Sequence, residues 1–183
     1  GQLYIQANGR YLYVPEGVQM VGGKVTVPLS VLVKAFDARL SWDAASGTAV
    51  VNRGSGAIQS GDSYYNQDDL FWLSRIIQAE CGNQPLEGRM AVGNVVLNRV
   101  KNPAFPSTVK GVLSQKNQFT TWKNGALAKR TPNATSVIAA KLVLDGGEVE
   151  STKGATFFDS NSNSWAARNK TCVAVIGNHK FYK

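Results

Sequence analysis

The chain has 183 residues, enough for one ordinary domain or two small ones, and its apolar fraction of 43% supports a packed core. No apolar stretch approaches the ~20 residues that a membrane-spanning helix needs. The formal charge of +8 favours an anionic partner. Because the basic residues are scattered singly and no nucleic-acid-binding motif is present, we expect that partner not to be nucleic acid.

Residues 1–53 predict a small β-rich unit with the order β-β-α-β-β. Apolar and polar residues alternate around Asn8-Gly9, a pair that is a strong signal for a tight hairpin turn. Pro28 suits the first turn of a helix, and an apolar stripe at helical spacing follows it. Residues 54–67 are rich in Gly and Ser and poor in apolar side chains, so we predict a flexible linker and a domain boundary there.

Residues 68–183 predict a second domain, mainly helical with a small β-sheet, which makes the fold class α+β. Asp68 or Asp69 can cap its first helix, and Gly82 is a natural end for it. The patterns predict helices at 68–81, 87–100, 108–113 and 134–144, short strands at 155–159 and 172–176, and irregular segments at 114–132 and 160–170.

Glu80 lies at the end of the apolar stripe of the first helix in this domain. Leu73, Ile76, Ile77 and Glu80 follow one another at the spacing of one helix face. Desolvation raises the pKa of a carboxyl group, and a raised pKa is what a general acid needs. Periodicity alone also allows an ordinary, half-exposed residue at a helix end, so both interpretations stay open at this point.

Several sequence motifs resemble those of one enzyme family. Ala79-Glu80 before a Gly-rich turn, then Glu87-Gly88 and Leu97-Asn98-Arg99-Val100, are similar to the opening of SleB-type cell-wall hydrolases, the spore-cortex-lytic enzymes. The resemblance continues through three further segments, namely Phe105-Pro106 with its following Ser-Thr-Val, Gln118-Phe119-Thr120, and the ending Ile176-Gly177-Asn178-His179. It covers nearly all of 68–183. Residues 1–53 resemble the N-terminal module named after copper amine oxidases, an accessory unit rather than a copper site.

The resemblance implies a lysozyme-like, lytic-transglycosylase-like fold in which Glu80 is the catalytic acid. The implied reaction is cleavage of peptidoglycan glycan strands between N-acetylmuramic acid and N-acetylglucosamine, in the cell wall or in the spore cortex. No second carboxylate is compelling among Glu87, Glu148, Glu150 and Asp159. We therefore expect a lytic transglycosylase, in which the muramyl 6-hydroxyl attacks its own anomeric carbon, and keep a hydrolytic muramidase as the alternative.

Sugar rings pack on aromatic faces, and their hydroxyl groups bond to amides and hydroxyls. The residues of these types that we predict to bind substrate are Gln118, Phe119, Thr120, Phe158, Asn161, Trp165 and His179. Trp165, in a polar loop, is the strongest of them, whereas His179 can equally be structural.

The two cysteines, Cys81 and Cys172, allow either a disulfide or two free thiols. His179 is the only histidine and no Cys/His cluster exists, so we expect no metal and no cofactor. No signal peptide is visible; we expect a processed or truncated form of a secreted, wall- or spore-associated protein. A non-enzymatic wall-binding or germination-scaffold protein is the competing hypothesis, and a nuclease is a weaker one.

Overall fold

The computed structural model describes residues 1–54, 56–116 and 118–183, and the chain divides into two compact units, Gly1–Tyr65 and Asn66–Lys183. Ser55, part of the predicted linker, and Asn117 lie outside the described residues. No helix in the described ranges combines the length and the apolar character that crossing a bilayer requires.

The first unit consists of three antiparallel hairpins and one helix. Its elements are β1 (Tyr4–Ala7), β2 (Arg10–Tyr13), β3 (Gln19–Val21), β4 (Lys24–Thr26), α1 (Leu29–Ala35), β5 (Arg39–Asp43) and β6 (Thr48–Asn52). Asn8 and Gly9 both have positive φ, 48° and 85°, as the predicted hairpin turn requires. The predicted order β-β-α-β-β is incomplete, because four strands precede the helix, the hairpin of β3 and β4 having only three residues in each strand.

The segment predicted as a flexible linker is in large part bound to the first unit. The N–H of Gly61 donates to the carbonyl of Asn8 over 2.7 Å, and the N–H of Tyr11 donates to the hydroxyl of Tyr65 over 2.8 Å. A 3-10 helix spans Gly61–Tyr64 between these contacts. Polar composition does not reveal such backbone contacts, which is why the sequence predicts more linker than the structure has.

The second unit is mainly helical. Its helices are α2 (Gln67–Cys81), α3 (Leu86–Lys101), α4 (Val109–Leu113), α5 (Ala126–Lys129), α6 (Ala134–Leu144) and α7 (Trp165–Asn169). A three-stranded antiparallel sheet in the order β7-β9-β8 completes it, built from β7 (Phe157–Asp159), β8 (Cys172–Ile176) and β9 (His179–Tyr182). The α+β character predicted for this part of the chain is confirmed.

The core of the second unit forms where α2, α3 and α6 pack together. Gly93 of α3 allows this close approach, since a Cβ there would lie 3.0 Å from Val143 and 3.1 Å from Ile77. Arg89, also on α3, is buried and donates to Asn133 Oδ1 and Ser136 Oγ, each over 2.8 Å. This packing fixes the C-terminal end of α2, where Glu80 lies.

Three segments differ from the sequence-based prediction. The irregular segment 114–132 contains a 3-10 helix, Thr120–Gly125, and α5. The loop predicted at 160–170 contains α7, whose first turn is capped because Ser164 Oγ accepts from the N–H of Ala167. Strand β9 was not predicted; it pairs with both β7 and β8 and holds the sheet together.

Candidate active site

Glu80 lies in the last turn of α2, at the end of a buried apolar stripe. Leu73, Ile76 and Ile77 are fully buried, and Glu80 follows them on the same face but is only partly buried. The helix begins at Gln67, where the side chain of Asn66 accepts from the N–H groups of Asp68 and Asp69, both over 3.0 Å. Asn66 is therefore the cap, and the two aspartates predicted for that role occupy the first turn instead.

Burial raises the pKa of the Glu80 carboxyl above its ordinary value, because desolvation disfavours the charged form. Two neighbours oppose this shift. The hydroxyl of Thr121 donates to Glu80 Oε1 over 3.2 Å, and the positive charge of Arg130 acts from a greater distance. The net direction is upward, so Glu80 keeps its proton to a higher pH than an exposed glutamate does.

Glu80 opens onto a cavity of about 400 Å³. Of the residues predicted from the sequence, it brings together Glu80, Gln118, Phe119, Phe158, Trp165 and His179. The other residues that line it are Arg99, Phe157, Asp159, Ser160 and Ala166. These side chains come from α2, α3, the segment before the Thr120–Gly125 helix, β7, α7 and β9, so the cavity lies between the helical core and the sheet.

Thr120 and Asn161, two of the predicted substrate-binding residues, do not line this cavity. Thr120 is exposed at the start of its 3-10 helix, and the neighbouring Thr121 contacts Glu80 instead. Asn161 is exposed, and its side chain accepts from the N–H of Asn163. Substrate binding by these two residues stays a prediction, and any contact that they form would lie outside this cavity.

Aromatic rings form one side of the cavity. Trp165 is 55% exposed and lies with its ring centroid 5.5 Å from that of Phe157. Phe158 meets the edge of the His179 ring at 5.4 Å. Trp165 thus presents a broad apolar surface, although it begins helix α7 rather than lying in a loop.

His179 is buried, and its Nδ1 has no hydrogen-bond partner within the described part of the chain. Burial lowers the pKa of the imidazole, while the nearby charge of Asp159 acts in the opposite direction. The ring is therefore neutral near pH 7. The ring also lines the cavity, although its unpartnered nitrogen is itself buried.

Arg99 is the cavity residue that the sequence-based prediction missed. Its side chain is buried and donates through Nε to the carbonyl of Thr156 over 2.6 Å and through Nη1 to Gln118 Oε1 over 2.9 Å. A signal was present, since Arg99 lies one helical turn after the buried Val95 and Val96 and so places a cation on an apolar face.

Asp159 is the second carboxylate in the cavity. Its Oδ1 accepts from the N–H of Asn161 over 2.6 Å. The other carboxylates considered from the sequence do not line this cavity: Glu148 and Glu150 lie 3.9 Å and 3.5 Å from Lys153, and Glu87 is in the first turn of α3.

Both thiols are free in the structure, with Cys81 buried and Cys172 exposed. Burial raises the pKa of Cys81 to about 12, and its Sγ contacts the carbonyl of Ile77. The described residues contain no group of three or more His, Cys, Asp or Glu side chains placed to hold a metal ion.

Comparison with known proteins identifies relatives for most of the second unit. The family model described as Cell Wall Hydrolase matches residues 83–182. The spore cortex-lytic enzyme of Bacillus cereus is 32% identical over 123 residues, which are 65% of this chain and 46% of that protein. The spore cortex-lytic enzyme of Bacillus subtilis is 28% identical over 119 residues, 64% of this chain and 38% of that protein. The chain thus spans less than half the length of these curated relatives.

Two solved structures are similar over the same share of the chain. The catalytic domain of the germination-specific lytic transglycosylase SleB from Bacillus anthracis has a TM-score of 0.58 and 30% identity, over 65% of this chain and 97% of that one. The catalytic domain of the Bacillus cereus SleB protein has the same TM-score and identity, over 92% of its own chain.

Proposed function

The chain belongs to the cell wall hydrolase family, and from this premise we propose that it cleaves the glycan strands of peptidoglycan with Glu80 as catalytic acid. The names of its relatives, spore cortex-lytic enzyme and germination-specific lytic transglycosylase, support spore cortex as the substrate and a spore-associated location. The bond cleaved is the one between N-acetylmuramic acid and N-acetylglucosamine.

One observation carries this proposal: a partly buried carboxyl group with a raised pKa opens onto a cavity lined by aromatic rings. A carboxyl group that keeps its proton can transfer it to the glycosidic oxygen as the bond to the anomeric carbon breaks. The aromatic side chains Trp165 and Phe158 supply the apolar surface on which sugar rings pack. His179 lines the same cavity and contacts the ring of Phe158.

The mechanism that fits a single acid is the lytic one. Glu80 protonates the leaving oxygen, and the resulting carboxylate then takes the proton of the muramyl 6-hydroxyl as that oxygen bonds to the anomeric carbon. The product carries a 1,6-anhydro ring, and Glu80 returns to its protonated form. The hydroxyl of Thr121 stabilises Glu80 in the intermediate, charged state.

The hydrolytic alternative has one observation in its favour, because Asp159 lines the same cavity as Glu80. A glycosidase with two carboxylates needs a separation of about 5 Å or of about 6.5–9.5 Å between them. The engagement of Asp159 with the backbone of Asn161 supports a role in fixing the turn after β7, which favours the lytic mechanism.

The fold proposal has two parts. We infer that the second unit is lysozyme-like, since a glutamate at the end of a core helix faces a small antiparallel sheet across the cavity. We infer that the first unit is an accessory module similar to the one named after copper amine oxidases. Exposed apolar side chains on its hairpins, among them Met20 and Trp42 at 66% exposure each, support a binding role for it.

The deciding experiment is digestion of purified spore cortex and vegetative sacculi by the wild type and by Glu80→Gln. We expect the variant to lose at least about 10²-fold in rate while still binding sacculi. Mass analysis of the products should find anhydro-muramyl ends. Reducing ends alone would establish the muramidase mechanism, and binding without any cleavage by the wild type would establish a non-enzymatic wall-binding protein.

A further inference from the structure

Arg99 places a positive charge that has no negatively charged partner in the wall of the cavity onto which Glu80 opens. Its side chain extends from α3 and is 4% exposed, yet it lines the cavity together with Glu80. Within residues 1–54, 56–116 and 118–183, no carboxylate forms an ion pair with it. This combination of deep burial and an uncompensated charge is found at no other residue that lines the cavity.

The hydrogen bonds of Arg99 leave part of its guanidinium unused. An arginine side chain has five N–H donors. One donates to the carbonyl of Thr156 and one to Gln118 Oε1, and both acceptors are neutral. The remaining donors lie beside the rings of Phe105, Phe119 and Phe157, whose centroids are 5.2–5.6 Å from the guanidinium carbon.

Such an arrangement is costly for folding alone. The ring faces attract a cation and offset part of the desolvation penalty, but they do not neutralise the charge. Burial lowers the pKa of Arg99 to about 10, so the group stays protonated at neutral pH. A neutral donor such as glutamine would satisfy Thr156 and Gln118 without this penalty.

The charge of Arg99 also differs in its effect from that of Arg130. Arg130 is exposed and lowers the pKa of Glu80, so its field reaches the catalytic carboxyl. Burial lowers the pKa of Arg99, and neither Glu80 nor Asp159 forms an ion pair with it. The cavity therefore holds a carboxyl group with a raised pKa at one place and a cation without a carboxylate partner at another.

We propose that Arg99 is a specificity-determining residue whose guanidinium binds a carboxylate carried by a muramyl residue of the bound strand. The inference rests on the proposed function, which brings such a strand into this cavity. A carboxylate matches the planar donor geometry of arginine and would supply the missing negative charge. Muramic acid is the sugar of the strand that carries a carboxyl group, through its lactyl substituent.

Two sources can present this carboxylate. A muramyl residue without a peptide has a free lactyl carboxylate, whereas one substituted with L-alanine has its carboxylate one residue further from the sugar. The disaccharide of N-acetylglucosamine and N-acetylmuramic acid represents the first source. The same disaccharide with L-alanine joined through its amino group to the lactyl carboxyl, and with a free alanine carboxylate, represents the second. The methyl ester of each removes the charge and leaves the sugar unchanged.

The test measures the binding of these four disaccharides to full-length Glu80→Gln protein by calorimetry, so that no cleavage occurs. We expect at least one acid to bind about tenfold or more tightly than its ester, which is the scale of one charge-assisted hydrogen-bonded pair. The acid that does so identifies the source. Equal affinity of acid and ester for both pairs would overturn the proposal.

Variants then assign the effect to Arg99. In the Glu80→Gln background, Arg99→Gln should bind acid and ester equally, Arg99→Lys should keep part of the preference, and the matched control Arg130→Gln should keep all of it. An undiminished preference in Arg99→Gln would contradict the proposal. If Arg99→Gln fails to fold, as judged by circular dichroism, the comparison of acid with ester and the Arg99→Lys variant still decide it.

Failure of this inference and failure of the proposed function give different results. An acid-over-ester preference that depends on Arg99, in a protein whose wild type cleaves no peptidoglycan, would leave the carboxylate site standing and remove the enzymatic function. Cleavage by the wild type without any such preference would remove only the role of Arg99.

Discussion

The proton on Glu80 is held by opposing influences. Burial raises the pKa of the carboxyl, while the hydroxyl of Thr121 and the charge of Arg130 lower it. A general acid must be protonated at the start of the reaction and stable as a carboxylate after it. Thr121 serves the second requirement, because its hydrogen bond favours the charged form.

Thr121→Val tests this balance at a single hydrogen bond. Without the hydroxyl the charged form loses a partner, so the pKa of Glu80 rises further and the alkaline limb of the pH–activity profile moves to higher pH. We expect the maximal rate to change by less than about tenfold, since the acid itself remains. The measurement is turbidity loss of sacculi across the pH range.

Thr120→Val is the matched control for that experiment. Thr120 is the adjacent threonine and is exposed, and the hydrogen bond to Glu80 comes from Thr121 and not from Thr120. Its profile should coincide with that of the wild type. A shift of equal size in both variants would mean that a general change of the Thr120–Gly125 helix, and not the hydrogen bond, alters the profile.

The same burial means that an ionised Glu80 destabilises the folded protein. Its pKa is raised in the folded protein, so folding is disfavoured wherever the group is ionised, and stability is lost as the pH rises through the folded pKa. Glu80→Gln removes this penalty. We expect the variant to be more stable at neutral pH by on the order of 1 kcal/mol, the size of a typical stability gain at a functional site.

The stability gained by Glu80→Gln should depend on pH, and this dependence distinguishes an effect of ionisation from an effect of packing. At pH values well below the ordinary carboxyl pKa of 4.5, Glu80 is protonated in both folded and unfolded protein, and the difference between the two proteins should disappear. Thermal melting followed by circular dichroism at both pH values checks this. An equal gain at low pH would trace the effect to packing instead of ionisation.

At the residue scale, the sequence predicts the types of the site residues and their spacing better than it predicts the directions in which their side chains point. The position of Glu80 on the apolar face of α2 was predictable because a helix has a fixed period, whereas its catalytic role rests on the family resemblance; Trp165 was predictable as a cavity residue because a large aromatic residue stands among polar ones. Thr121 was not, since the choice between it and Thr120 depends on a 3-10 helix that the pattern does not show. Arg99 entered the sequence analysis only as part of the motif Leu97-Asn98-Arg99-Val100, which does not show that its side chain reaches the cavity.

At the scale of elements, the hairpin of β8 and β9 positions His179. Gly177 occupies its turn with φ at 57°, a conformation that other residues rarely adopt. Directly after it, the N–H of Asn178 donates to Gln84 Oε1 over 3.0 Å, which ties the turn to the end of α2. His179 is the next residue, so the turn sets the place of the imidazole relative to the cavity.

Gly177→Ala should disturb this position. A Cβ at Gly177 would come within 1.8 Å of Gln84 Oε1, so the turn and the glutamine must separate. We expect a loss of more than about 1 kcal/mol in stability, together with a fall in cleavage rate as His179 moves. The comparison variant is Gly154→Ala, which also has positive φ at 72° but meets only the flexible end of Lys183 at 3.4 Å.

The two variants separate strain from displacement. Both should lose stability, because both force alanine into a left-handed conformation. Gly177→Ala alone should lose activity at a temperature where both proteins remain folded. Equal activity in the two would show that the position of His179 does not matter for cleavage.

Long elements were predictable because they repeat their period several times. The three helices of the core, α2, α3 and α6, were located to within one or two residues of their observed ends. Strand β9 and helix α7 were missed, and each is only four or five residues long. Local signals existed in both cases, since Gly177-Asn178 is a hairpin turn and Ser164 is a helix cap, and those signals carry more information than periodicity in short elements.

At the scale of the whole molecule, charge is divided unequally between the two units. Residues 66–183 carry 15 Lys and Arg against 8 Asp and Glu, a formal charge of +7, whereas residues 1–65 carry 5 against 4, a charge of +1. Peptidoglycan presents the carboxylates of its stem peptides. If the chain binds peptidoglycan as proposed, we expect the electrostatic attraction to come from the unit that holds Glu80 and any contribution of the first unit to come from other contacts.

This division predicts how wall binding responds to salt. The affinity of full-length Glu80→Gln for sacculi should fall as salt rises from low to physiological concentration, since exposed charges more than about 8 Å apart are then screened. The fragment 66–183 is suited to the comparison with the whole chain. The match to the solved SleB catalytic domain from Bacillus anthracis covers 65% of this chain and 97% of that domain. The fragment should show the same dependence on salt as the full chain.

The first unit should add affinity that salt does not remove. Half of its exposed side chains on β3 to β6 are apolar, and apolar contacts persist when charges are screened. We therefore expect the 183-residue chain to bind more tightly than the fragment by a similar factor at low and at high salt. Cosedimentation with sacculi measures this directly. A first unit that contributes only at low salt would mean that its few charges, and not its apolar surface, contact the wall.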